Sequence, residues 1–339
     1  MRLNHWLSLC VMAVLALVAL DDPGIALAAA PDHEGRLVLY TSHPPDMVDA
    51  YAKRFGEKYG IQVSTVKAGT GELLQRVRAE RERPQGDILW GGFADTAMSA
   101  PELFQPYRSK ELAYIEPGMR DPNGFNSPFV GGTMVIVYNK KLVSAADAPK
   151  SWADLKHPKW AKKVIHADPA KSSSAYTAML TWLIIYGKND EGWRFVEELA
   201  RNQVVVQKSS LVFTQVGNGE FPLGVTYEEG AFRYVLAGSL GMIYPTDGTP
   251  NLPDGNVIIK NGPNPKAARL FMDYLLSQEA QERLVRDFPG RRPTRKGVKL
   301  HPEMLPPEKF KVIDYDLAWA SNTRNENLAR WKEILIKTQ

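Results

Sequence analysis

The sequence has 339 residues, of which 44% are hydrophobic and 24% are charged, with a formal net charge of +4. This composition excludes a disordered chain, and so small and diffuse a charge gives no argument for a nucleic-acid-binding protein. The single cysteine excludes a disulfide framework and a cysteine-rich metal site, and the length suits two compact lobes.

The first 28 residues have the layout of a secretory signal peptide. One early charge, Arg2, precedes an apolar run over residues 6–20, and Ala26-Leu27-Ala28 supplies small residues at the spacing of a cleavage site. A run of about 15 residues is shorter than the roughly 20 that a bilayer-spanning helix needs. We therefore predict a signal peptide over residues 1–28 and a periplasmic mature protein, with an uncleaved membrane anchor as the alternative.

Strand-like and helix-like patterns then alternate along the chain. Apolar runs predict strands at residues 36–41, 61–66, 87–90, 133–138, 204–206 and 223–226. Helical spacing of apolar residues predicts helices at 47–59, 73–77, 176–186, 193–200 and 267–285. Segments 251–265 and 288–307 are rich in Gly, Pro and Asn, which predicts loops. This rhythm predicts an α/β fold built on mostly parallel sheets flanked by helices.

Polar or glycine-rich turns follow the first three predicted strands. Turns at the carboxyl ends of parallel strands commonly bind ligands, because free N–H groups of the following helix point there. The candidate residues in these turns are Ser42, His43, Thr70, Trp90, Gly91 and Gly92. The glycines allow close backbone approach to an anion, and Trp90 is a candidate for stacking on a sugar. Helix capping by Ser42 and core packing of Trp90 are the alternatives.

Three consecutive serines, Ser172, Ser173 and Ser174, open the predicted helix at 176–186. Hydroxyls at a helix N-terminus, with the positive end of the helix dipole, suit a phosphate or carboxylate. Capping by one serine, with the other two solvated, is the alternative. Ser209, at the start of another short helix, is a weaker copy of the arrangement.

Tyr227 and Glu228 follow the last predicted strand at the start of a helix. The carboxylate is suited to accept hydrogen bonds from solute hydroxyls or an ammonium group, and Tyr227 to donate or stack. The alternative is that Glu228 only favours the helix dipole.

Enzyme signatures are sparse. The six histidines are scattered without metal-binding spacing, and no Gly-x-Ser-x-Gly elbow occurs. The residues therefore predict a binding cleft without catalytic residues, metal or cofactor.

Eight short segments along the chain are informative together, through their order and spacing. They are Leu39-Tyr-Thr-Ser42, Gly69-Thr-Gly-Glu-Leu-Leu74, Pro84-Gln-Gly-Asp-Ile-Leu-Trp-Gly-Gly92, Tyr138-Asn-Lys140, Ser151-Trp-Ala-Asp-Leu155, Pro158-Lys-Trp160, Asp168-Pro169 with the serines, and Thr226-Tyr227-Glu228. Together they resemble the periplasmic solute-binding proteins of ABC importers, in the branch that binds ferric iron, phosphonates and sugar phosphates. The resemblance covers essentially the whole mature chain. It is nearest to the hexose-phosphate-binding members, through the Thr-Gly-Glu-Leu-Leu and Trp-Gly-Gly runs.

The resemblance implies a type II-like fold in which two α/β lobes, joined by crossing hinge segments, close over a solute. We expect lobe 1 to comprise residues 29–131 and 245–293, and lobe 2 residues 132–244 and 294–339. It further implies a monomer that captures a small phosphorylated solute, foremost a sugar phosphate, and delivers it to a membrane permease and its ATPase. Phosphonate or ferric-iron binding is the alternative within the family, and an exported phosphate-ester hydrolase is a remote one.

The family's iron-binding members hold Fe³⁺ with two adjacent tyrosines, a histidine and an acidic residue. By resemblance, the tyrosine pair falls on Tyr227-Glu228 and the acidic position on Gly91-Gly92, which leaves only His43. The resemblance therefore implies a solute other than iron held through that ligand set.

Overall fold

A computed structural model describes residues 32–338, so the signal peptide predicted at 1–28 lies outside the described residues. The strands are β1 Arg36–Thr41, β2 Gln62–Lys67, β3 Ile88–Phe93, β4 Phe104–Gln105, β5 Val130–Gly132, β6 Met134–Asn139, β7 Val164–Ala167, β8 Gln203–Val206, β9 Leu223–Tyr227, β10 Leu240–Ile243, β11 Leu252–Ile259 and β12 Arg292–Pro293. The helices are α1 Pro45–Tyr59, α2 Thr70–Ala79, α3 Ala94–Ala97, α4 Ser173–Tyr186, α5 Asp190–Asn202, α6 Ser209–Asn218, α7 Glu228–Leu236, α8 Pro265–Leu276, α9 Gln278–Asp287, α10 Leu317–Asn322 and α11 Arg324–Thr338.

Two sheets form the framework. The first is seven-stranded, in the order β12-β5-β11-β3-β1-β2, with β4 also paired to β11. The second is five-stranded, in the order β10-β6-β9-β7-β8. The predicted α/β class is confirmed. The sheets are mixed rather than mostly parallel, because β11 in the first sheet and β6 in the second pair only with antiparallel neighbours.

The period-2 alternation of strand side chains explains how each sheet is covered on both faces. In β1, Leu37 and Leu39 pack against α1, α8 and α9, whereas Tyr40 faces the opposite cluster with residues of α2. In β6, Ile136 and Val137 divide between two clusters in the same way. A sheet with helices on both faces has buried, apolar strands, as the sequence predicts.

Two local predictions were wrong. The predicted helix at 267–285 is two helices, α8 and α9, because Ser277 leaves helical geometry and its hydroxyl caps α9 by accepting from the amide of Ala280. The predicted loop at 251–265 contains β11, which is buried throughout. Its turn-forming residues Asp254 and Asn256 lie at a register shift, where their side chains accept hydrogen bonds from the amides of Val130 and Gly91 on the neighbouring strands.

The chain passes from the first sheet to the second at Thr133, between β5 and β6, and returns between β10 and β11. The two crossing segments touch, since the hydroxyls of Thr133 and Thr249 lie 3.1 Å apart and both residues are fully buried. The hydroxyl of Thr249 also donates to the main-chain oxygen of Met134 at 2.6 Å. The predicted lobe boundaries at 131/132, 244/245 and 293/294 stay a prediction.

No helix within residues 32–338 combines the length and the apolar character needed to cross a membrane.

Candidate functional site

The turns after β1, β2 and β3 meet, as the sequence predicts. The Thr70 hydroxyl donates to the Ser42 hydroxyl at 2.8 Å, and Thr70 is the first residue of α2. Gly91 and Gly92 have φ of 108° and 80°, in the region that favours glycine. A Cβ atom on Gly91 would lie 3.1 Å from the Ser42 hydroxyl, and one on Gly92 would collide with Thr70. Glycine is therefore required for β3 to approach these hydroxyls.

The segment 168–174, here called the serine turn, packs against the same place from the second sheet. The Ser173 hydroxyl accepts a hydrogen bond from the amide of Phe93 at 2.5 Å. Gly69 and Gly71 lie so close to the turn that a Cβ atom on either would come within 2.7 Å of a main-chain oxygen of Ala170 or Lys171. The N-termini of α2 and α4 thus converge from the two sheets.

The other two serines complete this hydroxyl group. Ser172 caps α4 by accepting from the amide of Ala175 at 3.3 Å, and its hydroxyl lies 3.0 Å from that of Ser174. All three serines are buried. Within the described residues, the serine hydroxyls form hydrogen bonds with main-chain amides and with each other.

A charged group adjoins the hydroxyls on the other side of His43. Arg291 Nη1 donates to His43 Nδ1 at 3.2 Å and forms an ion pair with Glu229. His43 Nε2 lies 3.7 Å from Asp254 Oδ2. Burial and the Arg291 charge hold the pKa of His43 well below its usual range, so the ring is neutral and its proton is on Nε2. Neither His43 Nε2 nor Asp254 Oδ2 has a hydrogen-bond partner within the described residues.

Both carboxyls of this charged group titrate near neutral pH. Burial raises the pKa of Glu229 to about 7, although Arg291 opposes the shift. Burial likewise raises the pKa of Asp254 to about 7, against hydrogen bonds from the amides of Val130 and Phe129. The site thus joins a neutral, donor-rich part to a part with carboxylate acceptors and one guanidinium.

Trp90 packs in the core, which is the alternative to sugar stacking that the sequence left open. It is 0% exposed, and its ring centroid lies 5.3 Å from that of Phe271 in the core of the first sheet. The apolar alternation of β3 turns Trp90 inward, toward the helices. Its edge contact with the His43 ring, at 4.9 Å, helps to hold that ring in place.

Glu228 is occupied by a structural ion pair. Arg292 Nε and Nη2 donate to its two carboxylate oxygens at 2.6 and 2.7 Å, and the Tyr244 hydroxyl also donates to it. Glu228 is 1% exposed, so the predicted contact with a solute gives way to a link between α7 and β12. This leaves its sequence neighbour Glu229 facing Arg291.

Tyr227 and Ser209 lie together beside Glu229. The two side chains interact, and burial raises the pKa of Tyr227, so its hydroxyl stays neutral. The Tyr227 ring packs edge-on against Phe213 at 5.7 Å. Both predicted residues therefore adjoin the charged group.

The sequence prediction missed Arg291 and Asp254. Asp254 lies in a Pro-Asp-Gly-Asn run that is typical of a turn, and Arg291 lies in a segment predicted as a loop. Only the sheet topology brings them to His43, which is far away in sequence. Within residues 32–338, no three His, Cys, Asp or Glu side chains are grouped so that they could hold a metal ion.

Two mixed sheets, joined by crossing segments and meeting at a buried polar site, define a two-lobed solute-binding protein. The family model of bacterial extracellular solute-binding proteins matches residues 91–319. The chain belongs to this family, and the predicted resemblance is confirmed.

Three curated relatives show the range of the family. An uncharacterised protein of Haemophilus influenzae is 30% identical, over 92% of this chain and 94% of its own. Iron uptake protein A1 of Synechocystis is 26% identical, over 92% of each chain. A periplasmic protein of Salmonella typhimurium named for 2-aminoethylphosphonate binding is 26% identical, over 76% of this chain and 79% of its own.

Two solved structures share the fold at a TM-score of 0.84. One is the periplasmic binding protein AfuA of Actinobacillus pleuropneumoniae with fructose 6-phosphate bound, 27% identical over 89% of this chain and 99% of its own. The other is the periplasmic binding protein P5PA, 26% identical over 89% of this chain and all of its own.

Proposed function

We propose that this solute-binding protein captures a small solute carrying a phosphate or phosphonate group, foremost a sugar phosphate. The observation that carries the proposal is the convergence of two helix N-termini, of α2 and α4, with the hydroxyls of Ser42, Thr70 and the three serines. Each helix N-terminus presents free N–H groups and a partial positive charge. Hydroxyl and N–H donors to an anion are charge-assisted hydrogen bonds, worth about 1.5–3 kcal/mol each.

The charged group is suited to the rest of the solute. Glu229 and Asp254 can accept hydrogen bonds from hydroxyls or an ammonium group, whereas the same carboxylates would repel a phosphate placed beside them. Arg291 and Tyr227 add donors. The phosphate is therefore assigned to the serine turn, and the organic part to the side of His43.

The comparisons support this assignment at the level of ligand class. Fructose 6-phosphate is bound by AfuA, and 2-aminoethylphosphonate gives the Salmonella relative its name. Ferric iron is the second candidate, favoured by Iron uptake protein A1. The set of iron ligands found in the family is less well supported here. Glu228 occupies the position of the second tyrosine, and both of its carboxylate oxygens accept hydrogen bonds from Arg292.

The same proposal covers export and delivery. Residues 1–28 would direct the chain to the periplasm and be removed there, and the loaded protein would dock on a membrane permease with its ATPase. The cycle is lobe closure and release without a covalent step. The hydrogen bonds of the three serines within residues 32–338, which run to main-chain amides and to each other, support this part of the proposal.

A thermal-shift panel tests the proposal. The panel compares fructose 6-phosphate, 2-aminoethylphosphonate, free fructose and ferric citrate, with a chromogenic phosphate ester to detect turnover. A ligand at a hundredfold excess over Kd stabilises the folded state by about 2.7 kcal/mol. We expect stabilisation by a phosphorylated or phosphonate compound and none by fructose. Stabilisation by ferric citrate alone would overturn the proposal. So would turnover of the chromogenic ester by the wild type that is abolished in Ser173→Ala.

A further inference from the structure

The C-terminal helix α11 is joined to the serine turn by one buried hydrogen bond. The indole Nε1 of Trp331 donates to Asp168 Oδ1 at 3.0 Å, and the side chain of Trp331 is 1% exposed. A buried hydrogen bond to a carboxylate is among the stronger neutral-to-charged contacts in proteins. It ties the serine turn to a helix that follows it by more than 150 residues.

Asp168 organises the turn from within. The same Oδ1 atom accepts from the amide of Ala170 at 3.0 Å. The main-chain oxygen of Asp168 accepts from the amides of Lys171 and Ser172, at 3.0 and 2.9 Å. Its own amide donates to Val206 at 2.8 Å, which anchors the turn to β8. The main chain and the carboxylate of Asp168 therefore together fix where the serines begin.

The first turn of α4 is held from the same side. The Tyr176 hydroxyl donates to the main-chain oxygen of Ala320 at 2.7 Å, and the Arg324 guanidinium lies 4.2 Å from the centre of the Tyr176 ring. Asn327 Nδ2 approaches that hydroxyl at 3.4 Å. Helix α11 thus contacts the serine turn at Asp168, and helices α10 and α11 both contact α4 at Tyr176, just after the turn.

We propose that Trp331 is a positioning residue for solute binding, which acts through Asp168 to hold the serine turn in its binding geometry. The inference rests on the proposed function for the consequence on affinity, but the hold on the turn stands on the contacts alone. Without the indole N–H the turn samples other conformations. The apparent affinity is then reduced in proportion to the fraction of molecules that hold the binding-competent conformation.

The test compares Trp331→Phe with Trp182→Phe as a matched control. Trp182 is also fully buried, lies on α4, and has an indole nitrogen without a hydrogen-bond partner in the described part of the chain. Both variants lose similar volume, and only Trp331→Phe loses the bond to Asp168. Two quantities are measured: amide hydrogen exchange over residues 169–176 in the unliganded protein, and Kd for fructose 6-phosphate.

We expect about tenfold faster exchange over 169–176 and about tenfold weaker binding in Trp331→Phe, with neither change in Trp182→Phe. Asp168→Ala, which loses the bonds from both the Trp331 indole and the Ala170 amide, should weaken binding at least as much as Trp331→Phe. Unchanged exchange in Trp331→Phe, or equal changes in both tryptophan variants, would overturn the positioning role. A wild type that does not bind fructose 6-phosphate or any other panel compound, while exchange responds as expected, would overturn the proposed function and leave the hold on the turn standing.

Discussion

Arg291 and Arg292 are neighbours in sequence, yet each is committed to a different carboxylate. Arg291 meets Glu229 and His43 at the site, whereas Arg292 forms a closed pair with Glu228. Their partners, Glu229 and Glu228, are themselves neighbours at the start of α7. One arginine is therefore available to a solute, and the other stabilises the framework.

Arg292→Met should destabilise the protein strongly with little direct effect on the site. The change leaves Glu228 as a buried, uncompensated charge, which costs about 3–5 kcal/mol of unfolding free energy. Denaturant unfolding measures the loss, and the double variant Glu228→Gln/Arg292→Met should recover part of it. Arg330→Met, which removes an exposed pair with Asp190, is the control and should change the unfolding free energy far less. Equal effects of the two arginine variants would contradict the account.

Glu229→Gln should become relatively more stable than the wild type as pH rises from 4.5 to 7. The unfolded glutamic acid titrates near 4.5, and the folded one near 7. In this window the folded wild type holds a proton that the unfolded chain has released, so its stability falls with rising pH. Glutamine does not titrate. The difference between the two proteins should grow by at most about 3 kcal/mol, since one pKa unit corresponds to about 1.4 kcal/mol. Urea midpoints at several pH values measure it, and a difference independent of pH would refute the role of Glu229.

At the level of elements, the strands with a clear apolar run were predictable, antiparallel β6 among them, whereas β4, β5, β10, β11 and β12 were not. Strand β1 occupies the predicted residues 36–41, because its apolar run is bounded by polar residues on both sides. Strand β11 was missed, since its Pro-Asp-Gly-Asn run is typical of a turn, and it is stabilised by pairing with β3, β4 and β5. The hydroxyl turns of the site follow predictable strands. The charged group depends on β11 and β12, which tertiary pairing alone defines.

Variants of two helix-capping serines distinguish the contribution of α4 to solute binding from its contribution to stability. Ser172 caps α4 and Ser277 caps α9, each by accepting from the amide three residues on. Ser172→Ala and Ser277→Ala should each cost about 0.5–2 kcal/mol in unfolding free energy. Calorimetric titration should show weaker binding of a phosphorylated solute in Ser172→Ala and unchanged affinity in Ser277→Ala. Equal affinities would make the serine turn purely structural.

Ser174→Ala should reduce affinity with a small cost in stability. Its hydroxyl is 3.0 Å from that of Ser172 and does not cap the helix. Loss of one charge-assisted donor weakens binding by about tenfold or more. Titration calorimetry with denaturant unfolding separates the two effects, and a large stability loss with intact affinity would move the anion elsewhere.

For the whole molecule, the contacts between the two sheets fix how a solute can enter. Ser173 and Phe93 are bonded directly, and Thr70, Ser173 and Arg291 are all at most 4% exposed. A solute therefore reaches the site only when the two walls separate. We expect the two walls to separate by movement about the crossing segments at Thr133 and Thr249.

Separation of the walls predicts a difference in overall size. Small-angle scattering should give a larger radius of gyration for the unliganded protein than for the protein saturated with a solute that shifts its melting temperature. The physical reason is that a solute bound between the two walls contacts both of them and therefore favours their closed arrangement. Equal radii in both states would show that entry does not need lobe opening.

We propose that a phosphate group binds between the serine turn and the start of α2. Backbone amide NMR during titration with fructose 6-phosphate, and separately with fructose, tests this binding position. We expect saturable shifts of the amides of Gly71, Gly92, Phe93 and Ser174 with the phosphorylated sugar and none with fructose. Shifts concentrated away from these amides, or the same shifts with both sugars, would contradict it.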